Sequence, residues 1–260
     1  MDYLAKQVLY RQALGANSGQ SLADAGSEST GNHRPLLVTF SGIDGSGKST
    51  QIENLRTHLR SLGLRSVMLA FWDDVVVGKS YREGFVHKVY KSEKGIGAPG
   101  KPVNRQDKNV RRWYLSIARH WLYLLDSIHL CEVVARARRG NPDVIIIDRY
   151  IYDQLANLPL GNPFTKLFIR AVHAFVPRPD VAYLLDADVD AAFLRKPEYP
   201  VEFLRRCRAA YFELARQLGT IKVIPAAGVE EARRAVVRAF DSAAERSSGK
   251  HSAGLNPVAA

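Results

Sequence analysis

The sequence predicts an α/β protein in which a parallel sheet carries helices on both faces. Five short runs rich in aliphatic residues are the strand candidates: 36–40, 66–71, 143–148, 181–186 and 221–225. None alternates polar and apolar side chains, which is typical of strands that are buried on both faces. Helical patterns separate these runs, and such alternation favours a parallel sheet. The helices are expected over 48–61, about 104–139, 152–176, 190–218 and 229–246.

The domain organisation follows from composition. The chain has 260 residues, 46% of them hydrophobic, which is ample for one sizeable core. Residues 1–34 are predicted to be an N-terminal extension made of a short helix and a flexible linker, and residues 35–246 one compact domain. Residues 247–260 are small and polar and are predicted to be a disordered tail.

Charge and cysteine usage restrict the class of protein. The net charge of +11 attracts polyanions in general, and the basic residues are spread over several helices, so solvated helix faces and a phosphate-rich ligand both stay open. Cys131 and Cys207 are far apart, which argues against a disulfide framework and fits a reducing compartment. No apolar run is long enough for a membrane span or a signal peptide, so we expect a soluble, cytoplasmic protein without a membrane partner.

A glycine-rich loop follows the first strand candidate. Residues 42–49 read GIDGSGKS and fit the phosphate-binding pattern G-x-x-x-x-G-K-[ST], with a helical pattern directly after it. Backbone N–H groups of such a loop and the positive end of the helix bind phosphate, Lys48 reaches the outer phosphates, and Ser49 ligates Mg²⁺. The predicted nucleotide-binding residues are Gly42, Asp44, Gly45, Ser46, Gly47, Lys48, Ser49 and Thr50.

A second acidic strand end lies at DVIIIDRYIYDQ, residues 143–154. Asp148 ends a buried run, where a carboxylate can orient Mg²⁺ beside Ser49. Arg149 carries a planar guanidinium that suits phosphate oxygens, although a structural ion pair with Asp148 is the alternative. Tyr150 and Asp153 could line an acceptor pocket, or Tyr150 could simply pack.

Two further segments are less specific. Residues 91–108 are rich in glycine, proline and basic residues and predict either a mobile basic flap or a plain surface connection. Trp113, Ile117, Trp121, Leu124 and Ile128 recur at spacings of three and four, which predicts one apolar helix face that is part of the core rather than a surface for stacking bases.

The loop GIDGSGKST with Gln51 after it, and DRY after an apolar strand, resemble the thymidylate kinase family of nucleoside monophosphate kinases. PRPDVAYLLDADVDAAFLRK (177–196) continues the likeness, and residues 195–216 look like a shortened lid with the helix that follows. The resemblance runs from about Leu36 to Phe240. It implies a three-layer P-loop NTPase fold with a five-stranded parallel sheet and a short helical lid, and phosphoryl transfer from Mg-ATP to a nucleoside monophosphate, in a possible homodimer.

The resemblance also implies roles for single residues. Asp44 matches a loop aspartate near acceptor and metal, and Arg149 matches an arginine that bridges donor and acceptor phosphates. Phe71 falls where some members stack thymine, and Arg195, with Lys196, lies where a lid arginine is supplied. Together the motifs and the resemblance imply Lys48, Asp44, Arg149 and Arg195 as catalytic, Phe71, Asp73, Arg149, Tyr150 and Asp153 as acceptor-binding, and Ser49 and Asp148 as metal ligands.

The acceptor half departs from the family pattern. Trp72, Asp73 and Asp74 stand where an arginine usually holds the acceptor phosphate, and Ser127 stands where an arginine usually recognises thymine. Carboxylates repel a phosphate, but Asp73 or Asp74 could serve as general base toward a hydroxyl, or form a solvated loop. Basic residues that could restore phosphate binding are Arg82, Lys101, Arg105, Arg111, Arg112 and Arg119.

Three functions therefore stay open. The first is a thymidylate-kinase-like enzyme using ATP and Mg²⁺ on a nucleoside monophosphate. The second is a kinase of the same fold that phosphorylates a hydroxyl of a nucleoside or another small molecule. The third is a non-catalytic ATP-binding module or a nucleic-acid-associated one; the basic stretches carry few interleaved aromatic residues, which disfavours nucleic acid as a partner.

Overall fold

The computed structural model describes residues 34–77 and 113–253. Their sheet has five strands, β1 Leu36–Ser41, β2 Ser66–Ala70, β3 Val144–Asp148, β4 Val181–Leu185 and β5 Ile221–Ile224. The strands lie in the order β2-β3-β1-β4-β5, and every neighbouring pair is parallel. The predicted fold class is confirmed, and each predicted strand lies within one residue of its observed bounds.

Helices of the described residues connect the strands. Their bounds are α1 Lys48–Ser61, α2 Trp113–Arg139, α3 Ile151–Leu155, α4 Pro163–Phe175, α5 Val189–Arg195, α6 Val201–Leu218 and α7 Val229–Ala253. A π-helical turn, Phe71–Val75, follows β2. Within these residues, no helix combines the length and the apolar composition that a membrane crossing requires.

The sheet divides the core into two layers. Alternate side chains of β1, such as Leu36, Val38 and Phe40, pack with α1 and α7 on one face. Leu37 and the facing residues of β3 pack with α2, α3, α4 and α6 on the other. Burial on both faces explains why the strand sequences are continuously apolar.

Two predicted helices are each interrupted in the structure. The predicted helix 152–176 breaks between α3 and α4, where the sequence carries Pro159 and Gly161, and Asn162 then caps α4 by accepting a hydrogen bond from the Phe164 N–H (2.8 Å). The predicted helix 190–218 breaks at 196–200, a stretch with two prolines, because proline lacks the N–H that a helix interior needs. This second break separates α5 from α6 and lies in the lid-like stretch.

Two other expectations need correction. Helix α7 runs to Ala253, so at least residues 247–253 continue a helix where a disordered tail was predicted. On α2, Trp121 is 64% exposed and Ile128 51%, so the face predicted to be core is open in its described part. Periodicity identifies an apolar stripe but does not say what covers it.

Several predictions lie outside the described residues. They concern the N-terminal helix, most of the linker, the 91–108 segment and the basic residues Arg82, Lys101, Arg105, Arg111 and Arg112. Arg119 is described, on α2.

Candidate active site

The glycine-rich loop lies between β1 and α1, and its backbone needs glycine at two close approaches. Gly42 has φ 146°, and a Cβ there would lie 2.6 Å from the Leu185 carbonyl oxygen. Gly45 has φ 81°, and a Cβ there would lie 2.3 Å from the Ala192 carbonyl oxygen of α5. The loop is therefore pressed against β4 and α5, with α1 beginning at Lys48 directly behind it.

Lys48 occupies the interior of this loop. Its Nζ donates to the Gly42 and Ile43 carbonyl oxygens, both at 2.9 Å. Burial and the neighbouring Arg149 charge lower the pKa of Lys48 to about 8. An ammonium held this way can exchange two backbone acceptors for phosphate oxygens without moving far, because it already lies inside the cradle.

Arg149 lies directly after β3 and links the loop to α3. Its backbone is left-handed, with φ 67°, which is uncommon for a residue other than glycine and marks functional sites. Its Nη2 donates to Asp44 Oδ1 at 2.5 Å and its Nη1 to Asp153 Oδ1 at 3.2 Å. Burial acts to lower the pKa of Arg149, but the carboxylates, Asp153 and Asp44 among them, outweigh it and raise the pKa.

Asp44 is charged for the same reason. Burial acts to raise the pKa of this carboxyl, but Arg149 and Lys48 outweigh it and lower the pKa. The predicted catalytic residues Lys48, Asp44 and Arg149 are thus brought together at the carboxyl ends of β1 and β3.

Asp153 is fully engaged below Arg149, with only 2% of its side chain exposed. Its carboxylate accepts hydrogen bonds from Ser41 Oγ (2.6 Å), Tyr211 OH (2.6 Å), Tyr150 N (3.1 Å) and Arg149 (3.2 Å). Donors of the protein therefore occupy both oxygens of Asp153, which leaves neither of them open to the predicted contact with an acceptor.

Two members of this cluster were missed at the level of sequence. Ser41 ends a fully buried strand, and Tyr211 lies on the apolar face of α6. A buried hydroxyl needs a hydrogen-bond partner, so the sequence indicates that Ser41 and Tyr211 each have one. It does not indicate which partner, because Tyr211 and Asp153 are 58 residues apart.

Asp148 lies at the end of β3, paired in register with Phe40 of β1. Its Oδ1 is buried and has no hydrogen-bond partner among residues 34–77 and 113–253, and burial raises the pKa of this carboxyl. Such an orphaned oxygen fits Mg²⁺, which takes hard oxygen ligands and completes its shell with water and substrate phosphates. Ser49, the other predicted ligand, is an exposed hydroxyl residue in the first turn of α1. Over the described part of the chain, no three His, Cys, Asp or Glu side chains group as an all-protein metal site.

The lid-like stretch reaches the loop through Arg195. Its Nε donates to the Gly45 carbonyl oxygen at 2.8 Å, from the last residue of α5. Arg195 is otherwise exposed, so the structure places a second guanidinium at the rim of the loop.

The remaining predicted acceptor residues lie apart from the Arg149 cluster or inside the core. Phe71 and Tyr150 are both fully buried, and the Tyr150 hydroxyl donates to the Pro177 carbonyl oxygen. Neither presents a surface for an acceptor in this structure. The aromatic ring that is exposed at the end of β2 is Trp72, at 40%, and Asp73 beside it is also exposed.

Helix α2 and the π-helical turn hold each other at this strand end. Asp74 Oδ2 accepts from the Ala70 N–H (2.7 Å), and His129 Nδ1 lies 2.7 Å from the Val75 carbonyl oxygen. Ser127 is buried and donates to the Tyr123 carbonyl oxygen of its own helix (2.6 Å). Asp74, His129 and Ser127 therefore have structural partners of their own.

The comparisons with known proteins agree with this arrangement. A thymidylate kinase from Bifidobacterium longum subsp. infantis is 30% identical over 192 residues, 69% of this chain and 74% of that protein. A probable thymidylate kinase from Methanosphaera stadtmanae is 26% identical over 200 residues, 75% of this chain and 92% of the relative. The crystal structure of thymidylate kinase from Ehrlichia chaffeensis is similar in fold, with a TM-score of 0.51, 18% identity, and coverage of 79% of this chain and 98% of that one. No family model matches the chain.

The sheet and the glycine-rich loop are consistent with a P-loop NTPase fold, and the relatives named thymidylate kinase define the class of protein as a nucleotide kinase. With a relative at 30% identity across most of both chains, the chain belongs to the thymidylate kinase family.

Proposed function

We propose that the protein transfers the γ-phosphoryl group of ATP, with Mg²⁺, to a nucleoside monophosphate, thymidylate being the first candidate. The observation that carries this proposal is the Arg149 guanidinium, which is held by Asp44 at the loop and by Asp153 behind it. Joining two polyanions requires fixed positive charge between them, and a planar fork at this position offers it.

The residues of the chain divide the work. The loop N–H groups and Lys48 bind the donor phosphates, and Arg195 at the loop rim adds charge as the γ-phosphoryl group moves. Arg149 orients the acceptor oxygen in line with the donor, and Asp44 keeps that arginine near the loop. Mg²⁺, held by Asp148 and Ser49, would neutralise the charge of the triphosphate.

A second candidate is transfer to a neutral hydroxyl. Asp73 is an exposed carboxylate at the end of β2, where it could act as a general base. Asp74 is exposed beside it, and its Oδ2 accepts a hydrogen bond from the Ala70 N–H. A non-catalytic ATP-binding module is the third reading, and it accounts least well for the Asp44–Arg149 pair.

Exposed apolar side chains on α2 and α4 suggest that two copies of the protein associate. Trp121 on α2 and Phe164 and Leu167 on α4 are each more than 60% exposed, at 64%, 66% and 67%. Large apolar side chains grouped on packed helices mark contact surfaces. We therefore propose a homodimer that buries these residues.

A substrate panel separates the first two candidates. The protein is incubated with Mg-ATP and each nucleoside monophosphate or nucleoside, and ADP release is recorded with Lys48→Ala as the blank. Turnover with a monophosphate supports the proposal. Turnover only with nucleosides, and its loss in Asp73→Asn, supports the second candidate, whereas no turnover with any acceptor contradicts both.

A further inference from the structure

The cluster below Arg149 connects the nucleotide loop to the helix that follows the lid-like stretch. Ser41 comes from β1, Asp153 from α3 and Tyr211 from α6, and all three side chains are buried. Their hydrogen bonds meet at one carboxylate, which in turn holds Arg149.

The bonds divide evenly between the two carboxylate oxygens. Oδ1 of Asp153 accepts from Arg149 Nη1 and Tyr211 OH, and Oδ2 accepts from Ser41 Oγ and Tyr150 N. With donors on both sides, the carboxylate has one orientation in which all four are satisfied, and Arg149 is bound to that orientation. A buried charge that is bonded throughout is stiff, because turning it would leave donors without acceptors.

Tyr211 is the contact from α6 to this carboxylate. Its hydroxyl reaches Asp153 from a side chain that lies in the core, where burial and the Asp153 charge raise its pKa so that it stays a donor. Helix α6 begins directly after residues 196–200, and α5 on the other side of that stretch contacts the loop through Arg195.

We propose that Asp153 is a positioning residue for Arg149 and that Tyr211 holds Asp153, so that α6 sets the orientation of the arginine between the donor and acceptor sites. The expected effect on kcat rests on the proposed function, whereas the positioning of Arg149 by Asp153 and Tyr211 does not. Neither Asp153 nor Tyr211 touches the substrates in this scheme; both act through the guanidinium.

Tyr211→Phe is the main variant, because it removes one hydroxyl and keeps the ring. Tyr183→Phe is its matched control: the Tyr183 hydroxyl is also buried and donates to the Val236 carbonyl oxygen (2.7 Å), on the opposite face of the sheet. Both variants lose one buried hydrogen bond, so the midpoint temperature of thermal unfolding should fall in both. Only Tyr211→Phe should lower kcat, by about three- to tenfold, with the KM for ATP nearly unchanged.

A double-mutant cycle shows whether Tyr211 acts through Arg149. In an Arg149→Lys background, Tyr211→Phe should change kcat by less than about twofold, because the fork that it orients is gone. Equal factors in both backgrounds would overturn the proposal, as would a kcat loss in Tyr183→Phe of the same size.

A readout without turnover keeps the inference separate from the proposed function. In ¹⁵N-arginine-labelled protein, the Arg149 side-chain NMR signal, assigned by its loss in Arg149→Lys, should shift or broaden in Tyr211→Phe and stay in place in Tyr183→Phe. A signal that ignores both substitutions contradicts the positioning role even if the enzyme is active. A responsive signal in a protein that phosphorylates no acceptor leaves positioning standing and removes the proposed function.

Discussion

Arg149 combines a strained backbone with a guanidinium that is paired with two carboxylates. Its φ of 67° lies in the left-handed region, and the N–H of the same residue donates to the Phe40 carbonyl oxygen at 2.8 Å. That bond and the two carboxylates fix both ends of the residue. Such strain of about 1–3 kcal/mol persists only where surrounding contacts determine it, as they do here.

Arg149→Lys should lower kcat by about ten- to hundredfold. A lysine keeps one positive charge but cannot span Asp44 and Asp153, and it offers no planar pair of donors to a phosphate. Steady-state kinetics with the best acceptor from the panel measures the change. Arg216→Lys is the control, since Arg216 is exposed on α6 and, among the described residues, pairs with its helix neighbour Glu213. Equal kcat in wild type and Arg149→Lys would refute the bridging role.

Lys48 gives the site a pH dependence with a defined sign. Burial and Arg149 lower its pKa from 10.5 to about 8, so folding favours the neutral amine. The charged form costs stability below about pH 8, and that cost disappears as the pH rises toward the unfolded value of about 10.5. A triphosphate reverses the preference, because it needs the ammonium.

ATP binding should therefore take up a proton at about pH 9 and take up much less at about pH 6.5. Calorimetric titration in two buffers of different ionisation enthalpy measures the uptake. Lys48→Arg should abolish the uptake from this group at high pH, since a guanidinium stays charged throughout. The same uptake in wild type and variant would assign the titration to another group.

At the scale of elements, the loop depends on α5 as much as on its own sequence. The distance that a Gly45 Cβ would have from the Ala192 carbonyl oxygen, 2.3 Å, is too short for any side chain, and a shift of α5 would displace Arg195. The glycine-rich loop and α5 are therefore in direct contact, and a movement of one requires a movement of the other.

Gly45→Ala should lower the free energy of unfolding by about 1–3 kcal/mol and weaken ATP binding, because the loop and α5 must separate. Gly161→Ala is the matched control, since a Cβ there meets nothing within 4 Å and the residue has no positive φ. Thermal unfolding and nucleotide titration compare the two variants. If both behave alike, the close approach to α5 is not what the loop requires.

Elements were predictable from sequence where the chemistry is local. The helix start at Lys48 follows from the glycine-rich loop pattern, and Gly63 after α1 and Gly219 after α6 are residues that favour the left-handed conformation they adopt. The contact between α6 and α3 does not, because a tyrosine on an apolar face shows only that its hydroxyl needs a partner. The prediction that the Trp121 face of α2 is part of the core was wrong for the same reason, because an apolar stripe does not show which element covers it.

At the scale of the whole molecule, that open face predicts association. Trp121→Glu and Phe164→Glu should each shift the protein from dimer to monomer in sedimentation velocity, because a buried unpaired charge is costly at a contact. Leu194→Glu is the control, as Leu194 is 80% exposed on α5 and outside this group. A protein that sediments as a monomer before substitution contradicts the homodimer.

The sequence predicts the phosphate-donor site more fully than the acceptor site. Gly42 and Lys48 follow from the glycine-rich loop motif and Asp148 from its position at a strand end, and in the structure Asp148 lies close enough to Lys48 for their charges to interact. The acceptor side was assigned by likeness, and there Phe71 and Tyr150 lie in the core while Ser127 bonds to its own helix. The family is shown by the relatives, whereas the acceptor must be found by experiment.

Transfer of a labelled γ-phosphate tests the central claim most directly. Protein, Mg²⁺ and γ-³²P-ATP are incubated with thymidylate, and the nucleotides are separated, with Lys48→Ala in parallel. We expect label in the nucleoside diphosphate with wild type and a loss of about a hundredfold or more in Lys48→Ala. If other monophosphates replace thymidylate as acceptor, only the base is misassigned. Label that remains in ATP, or appears only as inorganic phosphate with every monophosphate, would contradict the account.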